Sequence, residues 1–263
     1  MRNLRTYGSA PFKAAVIHGG PGAVGEMASV ARELSAHCGI LEPLQTAASL
    51  EGQVEELKIV LEQHGDLPIT LIGFSWGAWL SFIVTARYPV LVGRLILVGS
   101  GPFEEKYIAK LEGTRLNRLN AAVRAEFASL LSALGDPVTK NKDALMVRLS
   151  TLLAKTDEYD PIPAVSDTED MVGIQGETFQ RVWDDAAKLR RSGELLAFGK
   201  SIQCPVVALH GDYDPHPAEG VQDALTRVLK NFRFILLKNC GHKPWVERQA
   251  RDAFYRIVEA ELP

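Results

Sequence analysis

Ser75 sits in Gly73-Phe74-Ser75-Trp76-Gly77, a G-x-S-x-G pentapeptide. A serine hydroxyl attacks a carbonyl only when a base can take its proton and N–H groups can hold the oxyanion that forms. The pattern is short and carries weight only in context. Here an apolar run, Ile69 to Phe74, precedes the serine, and an almost wholly apolar stretch, Trp76 to Tyr88, follows it. A buried strand turning sharply into a buried helix pushes the Ser75 hydroxyl above a sheet edge. Glycines at 73 and 77 remove the Cβ atoms that such a tight turn would bring into collision.

Three further segments hold matching parts. His18-Gly19-Gly20-Pro21-Gly22 closes the first apolar strand. Two converging N–H groups make an oxyanion hole; the candidates are Gly20 in this loop and Trp76, which follows the serine. Pro21 has no N–H to offer. His210-Gly211-Asp212-Tyr213-Asp214 follows a later strand and supplies two candidate acids. Asp214 lies further into the loop and has more freedom to reach a base, whereas Asp212 suits a turn-holding role. Cys240-Gly241-His242 follows the last strand, and His242 is the candidate base. His216 adjoins Asp214 and is a candidate supporting residue. His18 and His210 each end a strand inside a motif and read as structural, with His18 placed to bond the Gly20 loop. His37 and His64 fall near helix ends and read as surface residues.

A rival reading uses the same glycines. Gly20, Gly22 and Gly25 form G-x-G-x-x-G between a strand and a helix, and Glu42 lies 22 residues after Gly20. That is the formal fingerprint of a dinucleotide-binding turn. Pro21 argues against it, because it removes an N–H from the turn that would face pyrophosphate. The fingerprint also leaves Ser75 and His242 without a purpose.

The elements that position these residues follow from periodicity. Strands are expected at Ala14–Ile17, Gly39–Leu41, Ile69–Phe74, Leu95–Val98, Pro205–Leu209 and Phe232–Leu237. Helices are expected at about 25–36, from Leu50 capped by Ser49, at Trp76–Tyr88, and from Lys243-Pro244 to the C-terminal region. Alternating strands and helices imply an α/β fold with a mostly parallel, doubly wound sheet covered on both faces. The alternation breaks between Pro102 and Lys200. There, three helical stretches are expected, around 116–134, 145–152 and 179–186. The division is therefore a catalytic core of 1–101 and 201–263 with a helical cap at 102–200. Trp76, Trp79 and Trp183 are candidate pocket walls. Asp157, Glu158, Asp160, Asp167, Glu169 and Asp170 occur together without a Lys or Arg among them, which reads first as a solvated loop.

Ser75, Asp214 and His242 in that chain order, with the Gly20 loop before them, resemble the α/β-hydrolase superfamily over nearly the whole chain. His-Gly-Gly-Pro-Gly and Ser-Trp-Gly are similar to the proline iminopeptidase-like branch. The resemblance implies Ser75 as nucleophile, His242 as base, Asp214 as acid, and Gly20 and Trp76 as the oxyanion hole. It implies a serine hydrolase acting on an ester or amide bond, as an aminopeptidase or as a carboxylesterase or lactonase, with no cofactor and no metal. In the aminopeptidases, lid carboxylates hold the substrate amine; Glu104, Glu105, Glu169, Asp170 and Glu177 are the available acids. The family's leading strand pair is expected to be missing or reduced to one strand, since about a dozen residues precede Lys13.

Composition sets the remaining bounds. Hydrophobic residues are 46%, charged residues 23%, and the net charge is −3. That balance is ordinary for a globular protein and gives no sign of an electrostatic nucleic-acid binder, although a net charge averages over local patches. The expected partner is a small-molecule or short-peptide substrate, with no nucleic acid and no membrane. Cys38, Cys204 and Cys240 form no C-x-x-C pair, which argues against a zinc or redox motif and for a reducing compartment. No apolar leader is visible between Met1 and Lys13, so a cytoplasmic location is expected.

Overall fold

The computed structural model of the chain describes residues 3–136, 138–140, 142–163, 170 and 176–263, the side chains of 176 and 177 excepted. Seven strands, β1 (Leu4–Tyr7), β2 (Phe12–Ile17), β3 (Gly39–Pro43), β4 (Ile69–Phe74), β5 (Val92–Val98), β6 (Val206–Gly211) and β7 (Phe232–Leu237), form one sheet in the order β1-β3-β2-β4-β5-β6-β7. Every pairing is parallel except β1 with β3. Among the described residues one strand, β1, precedes β2, and it borders β3 rather than forming a hairpin with β2.

Successive side chains on a strand point to opposite faces, and both faces of this sheet are apolar. Ala15, Ile17, Leu71, Leu95 and Leu97 share one hydrophobic cluster with helices α2 (Leu50–His64) and α3 (Trp76–Arg87). Ala14, Val16, Ile72, Phe74, Ile96 and Val98 point the other way, toward α1 (Ala28–Leu34) and the last helix, Arg251–Glu259. Helix α3 is buried along all its residues from Trp76 to Ala86, which explains its nearly unbroken apolar sequence. Each large side chain buried this way contributes about 1.5–3 kcal/mol before entropy is counted.

Register decides where the chemistry can be. Ile17 pairs with Gly73, Phe74 with Val98, Val98 with Leu209, and Gly211 with Leu237. The carboxyl ends of β2, β4, β5, β6 and β7 therefore line up, and the loops leaving them emerge along one edge. Parallel open sheets bind their ligands at that edge.

Between β5 and β6 run α4 (Ile108–Asn117), α5 (Ala121–Gly135), α6 (Lys142–Asp157), α7 (Gly176–Ser192) and the short α8 (Glu194–Ala197). Helices α5 and α6 pack together around Leu119, Phe127, Leu130, Leu134, Met146, Leu149 and Leu152, a hydrophobic cluster separate from those on the sheet. Helix α7 instead joins the sheet's own core through Val182 and Ala186.

Three sequence expectations need correction. The stretch read as one helix over 116–134 is broken: α4 ends at Asn117, and Asn120 accepts a hydrogen bond from the Val123 N–H to cap α5. The apolar residues on either side kept helical phase and hid the break. The terminal helix α10 (Arg251–Glu259) does not start at Lys243-Pro244; Pro244–Val246 is a single 3₁₀ turn. Helix α1 is shorter than 25–36, because Gly25 (φ +94°) and the residues before Ala28 form turns. Among the described residues, no helix is long and apolar enough to cross a membrane.

Candidate active site

Ser75 links β4 to α3 with φ 52° and ψ −112°. This left-handed backbone is strained for a side chain larger than glycine. Packing imposes it. The Ser75 N–H donates to the Val98 carbonyl at 2.9 Å. A Cβ on Gly73 would collide with the Gly77 carbonyl, and one on Gly77 with the carbonyls of Ile17 and His18. Trp76 opens α3, so its backbone N–H belongs to the first turn, where no intrahelical acceptor is available. Its indole Nε1–H donates to Gln53 Oε1 at 3.0 Å, which fixes the ring beneath the serine.

The Gly20 loop is held from two sides. His18 Nδ1 lies 2.7 Å from the Gly19 carbonyl, and Glu26 Oε2 accepts the Gly19 N–H at 3.1 Å. The Gly19 donor is thus engaged and Pro21 has none, which leaves the Gly20 N–H. The Gly20 carbonyl accepts from Ala23 N at 2.8 Å and closes the turn. Gly20, Ser75, Trp76, His216 and His242 all line one cavity of about 250 Å³.

Asp214, not Asp212, meets His242. His242 Nδ1 lies 2.7 Å from Asp214 Oδ2. A carboxylate only accepts, so His242 Nδ1 carries the proton and Nε2 is left to accept one. Asp212 Oδ1 accepts the Cys240 N–H at 3.3 Å and ties the two loops together. The second oxygen of Asp214 is engaged as well. His216 donates to Oδ1 from its backbone N–H at 2.9 Å and from Nδ1 at 2.7 Å. Burial alone would push the Asp214 carboxyl up, but His242, His216 and His210 around it, with the His216 hydrogen bond, hold it well below the usual range. The His216 ring stacks on His242 with centroids 4.5 Å apart. Burial lowers His216 to about 4 against the pull of Asp214, so it is neutral at pH 7. The ring stacked on His242 is therefore uncharged when a proton arrives there. His210 Nε2 contacts the His216 carbonyl at 2.8 Å and fixes the loop, the structural role expected of it.

Asp214, His216 and His242 also form the one cluster of potential metal-ligating side chains among the described residues. Its nitrogen–oxygen contacts are hydrogen-bond distances, and both imidazole Nδ1 atoms act as donors to the carboxylate. A cation between them would have to displace both protons, so the donor set suits a hydrogen-bonded acid–base pair better than a metal.

Four supporting residues were not visible in the sequence. The His242 N–H donates at 2.7 Å to the carbonyl of Asp157, the last residue of α6. Fully buried Glu247 accepts from the N–H groups of Gly241, Tyr159 and Asp160 at 2.9, 2.8 and 2.7 Å. Gln53 and Glu26 complete the set. Asp157, Gln53 and Glu247 reach across long stretches of chain to His242, Trp76 and the Tyr159-Asp160 segment, whereas Glu26 reaches back only seven residues to Gly19.

The other expected positions divide as follows. Trp76, Trp79 and Trp183 all line the cavity. His37 and His64 are exposed. Glu104 pairs with Arg227 and Lys106, Glu105 with Arg190, and Asp170 with Arg32. The side chains of Glu169 and Glu177, and the whole of Asp167, lie outside the described residues. In the rival fingerprint, Glu42 is fully buried and accepts the Tyr7 hydroxyl at 2.7 Å. It presents no acceptor to a ribose, while Gly20 and Pro21 line the Ser75 cavity instead.

The sequence profile of the alpha/beta hydrolase fold matches residues 42–249. No curated protein matches the chain by sequence. Among solved structures, VinJ aligns with a TM-score of 0.73 at 17% identity, over 99% of this chain and 95% of that one. A proline iminopeptidase of Mycobacterium smegmatis aligns at 0.65 and 15% identity, over 98% and 93%. An enol-lactonase of Burkholderia xenovorans aligns at 0.61 and 16%, over 97% and 94%. At such identities the likeness carries the fold and not the substrate.

Proposed function

The chain belongs to the alpha/beta hydrolase fold family, and on that footing we propose that it is a serine hydrolase cleaving an ester or amide bond of a small substrate. The observation that carries the reading is the 2.7 Å contact of His242 Nδ1 with Asp214 Oδ2, made by a histidine that shares its cavity with Ser75. Residues 102–200 act as the cap over that cavity.

The chemistry proceeds in two steps. Ser75 Oγ attacks the carbonyl carbon while His242 Nε2 takes its proton. Asp214 holds the ring and offsets the charge of the imidazolium. The oxyanion is received by the N–H groups of Gly20 and Trp76, aided by the α3 N-terminus. His242 then gives its proton to the leaving oxygen or nitrogen, and the acyl group stays on Ser75. Water, deprotonated by the same histidine, attacks the acyl carbon and restores the serine. Each step uses only groups of this chain and water.

Reaction with a fluorophosphonate probe tests the reading. Wild-type protein is expected to label once, at Ser75, and Ser75→Ala not at all. Equal labelling of the two, or none of the wild type, contradicts it.

A further inference from the structure

The cavity above Ser75 has two properties that together specify a substrate. The first is an apolar wall. Trp79, Trp183 and Phe179 line it as a ladder of near-parallel rings. Trp79 and Trp183 have centroids 5.6 Å apart and planes 7° apart; Phe179 and Trp183 are 6.0 Å and 10° apart. Met146, Leu149 and Leu153 of α6 line the same cavity. The second property is charge balance. Glu26 pairs with Lys243 at 2.7 Å. Asp157 accepts two N–H groups of Arg115. Arg190 pairs with Glu105 at 2.8 Å and rests over the Trp79 ring. Glu158 also has a partner. The carboxylates of Glu26 and Asp157 and the cations of Arg115, Arg190 and Lys243, all lining the cavity, are therefore engaged with one another or with Glu105.

A substrate ammonium entering here would find the carboxylates of Glu26 and Asp157 already paired, and burying an uncompensated charge is costly. An apolar group would meet aromatic rings and aliphatic side chains and lose only water. Size fits the same class. A cavity of about 150 Å³ lined by apolar side chains takes up benzene, and this one is about 250 Å³.

Resting on the serine hydrolase reading, we propose that the substrates are esters of uncharged acids whose acyl group carries an apolar ring or short chain, seated against Trp79, Trp183 and Phe179. The acyl carbon forms its bond to Ser75 Oγ, the ester C–O bond breaks, and the alcohol leaves with the proton from His242. Water then releases the uncharged-tail acid. Peptides with a free terminal proline are not substrates.

The test is a panel of p-nitrophenyl esters after Ser75 has been shown to take the fluorophosphonate. Phenylacetate and hexanoate are expected to exceed acetate in kcat/KM by about 10- to 100-fold. Proline β-naphthylamide and the monosuccinate ester are expected to fall at least about 100-fold below phenylacetate. Trp183→Ala should lower the phenylacetate-to-acetate ratio by about tenfold. The wild-type panel decides the matter without that variant. Labelling with a flat ester profile, or with the proline amide preferred, overturns this inference and leaves the hydrolase reading standing. Failure of the wild type to label removes both.

Discussion

The floor and the roof of the cavity are built by different means. The floor is backbone: loops from aligned strand ends, a serine at φ 52°, and glycines whose neighbours leave no room for a Cβ. The roof is side chains: rings and leucines from α6 and α7, with α5 and α6 packed around a hydrophobic cluster of their own. Backbone held by a sheet can fix an atom to a fraction of an ångström, which acyl transfer requires. Side chains on paired helices can be exchanged while the sheet stays intact. On the proposed reading, precision belongs to the floor and choice of substrate to the roof. The two meet at the His242 loop, where Asp157 of α6 and the residues after it are bonded to His242 and Glu247.

The sharpest break of that contrast is in the floor. Asp214→Asn should cut kcat by about 10⁴-fold, because the amide leaves His242 in the wrong tautomer; steady-state turnover of a p-nitrophenyl ester reads it. A fall of less than tenfold would remove Asp214 from the mechanism. Gly77→Ala should next cost about 3 kcal/mol or more, since its Cβ meets backbone that cannot move aside. Urea denaturation measures this, and an unchanged midpoint would mean that the floor is not close-packed.

In the roof, Leu152→Ala removes a fully buried side chain from the α5–α6 cluster. A loss of about 2–5 kcal/mol is expected there. By hydrogen exchange, amides of α5 and α6 should open while those of β4 and α3 remain protected. Uniform loss of protection would show that floor and roof are one cooperative unit.

The most gradual effect is on pH dependence. His216 in the folded protein binds its proton near pH 4, below its ordinary value of 6.5. Between these pH values the unfolded chain holds the proton and the folded chain does not. Stability present above about pH 6.5 is therefore lost as pH falls, and the loss is complete near pH 4. Its size is on the order of 3 kcal/mol. His216→Asn keeps a donor that does not titrate, so its unfolding free energy should change less than that of the wild type between pH 7.5 and 4.5. Parallel pH curves would contradict the assignment.

The floor was largely legible in the sequence, because its parts are local. A G-x-S-x-G between two apolar runs, and His or Asp just after a strand, announce themselves within a few residues. Position in the loop already favoured Asp214 over Asp212 as the partner of His242; what the sequence did not show is that Asp212 receives the Cys240 N–H across the next loop. Glu247, Asp157 and Gln53 were hidden because their partners are distant in the chain. The roof was legible as helices and not as surfaces. Met146 and Leu149 belong both to the α5–α6 cluster and to the cavity lining, and periodicity marks an apolar face without saying what it covers. β5 starts earlier than its apolar run, at Val92, because a strand needs only backbone pairing: Val92 pairs with Ile69 and Arg94 with Thr70, the register skipping Gly93.

The central claim is that Ser75 carries the acyl group between two half-reactions. Rapid-quench mass spectrometry with p-nitrophenyl phenylacetate tests it directly. A burst of p-nitrophenol equal to the enzyme present is expected, together with a phenylacetyl mass increment on the peptide containing Ser75. Steady turnover with no acyl adduct, or an adduct on any other residue, would contradict the account.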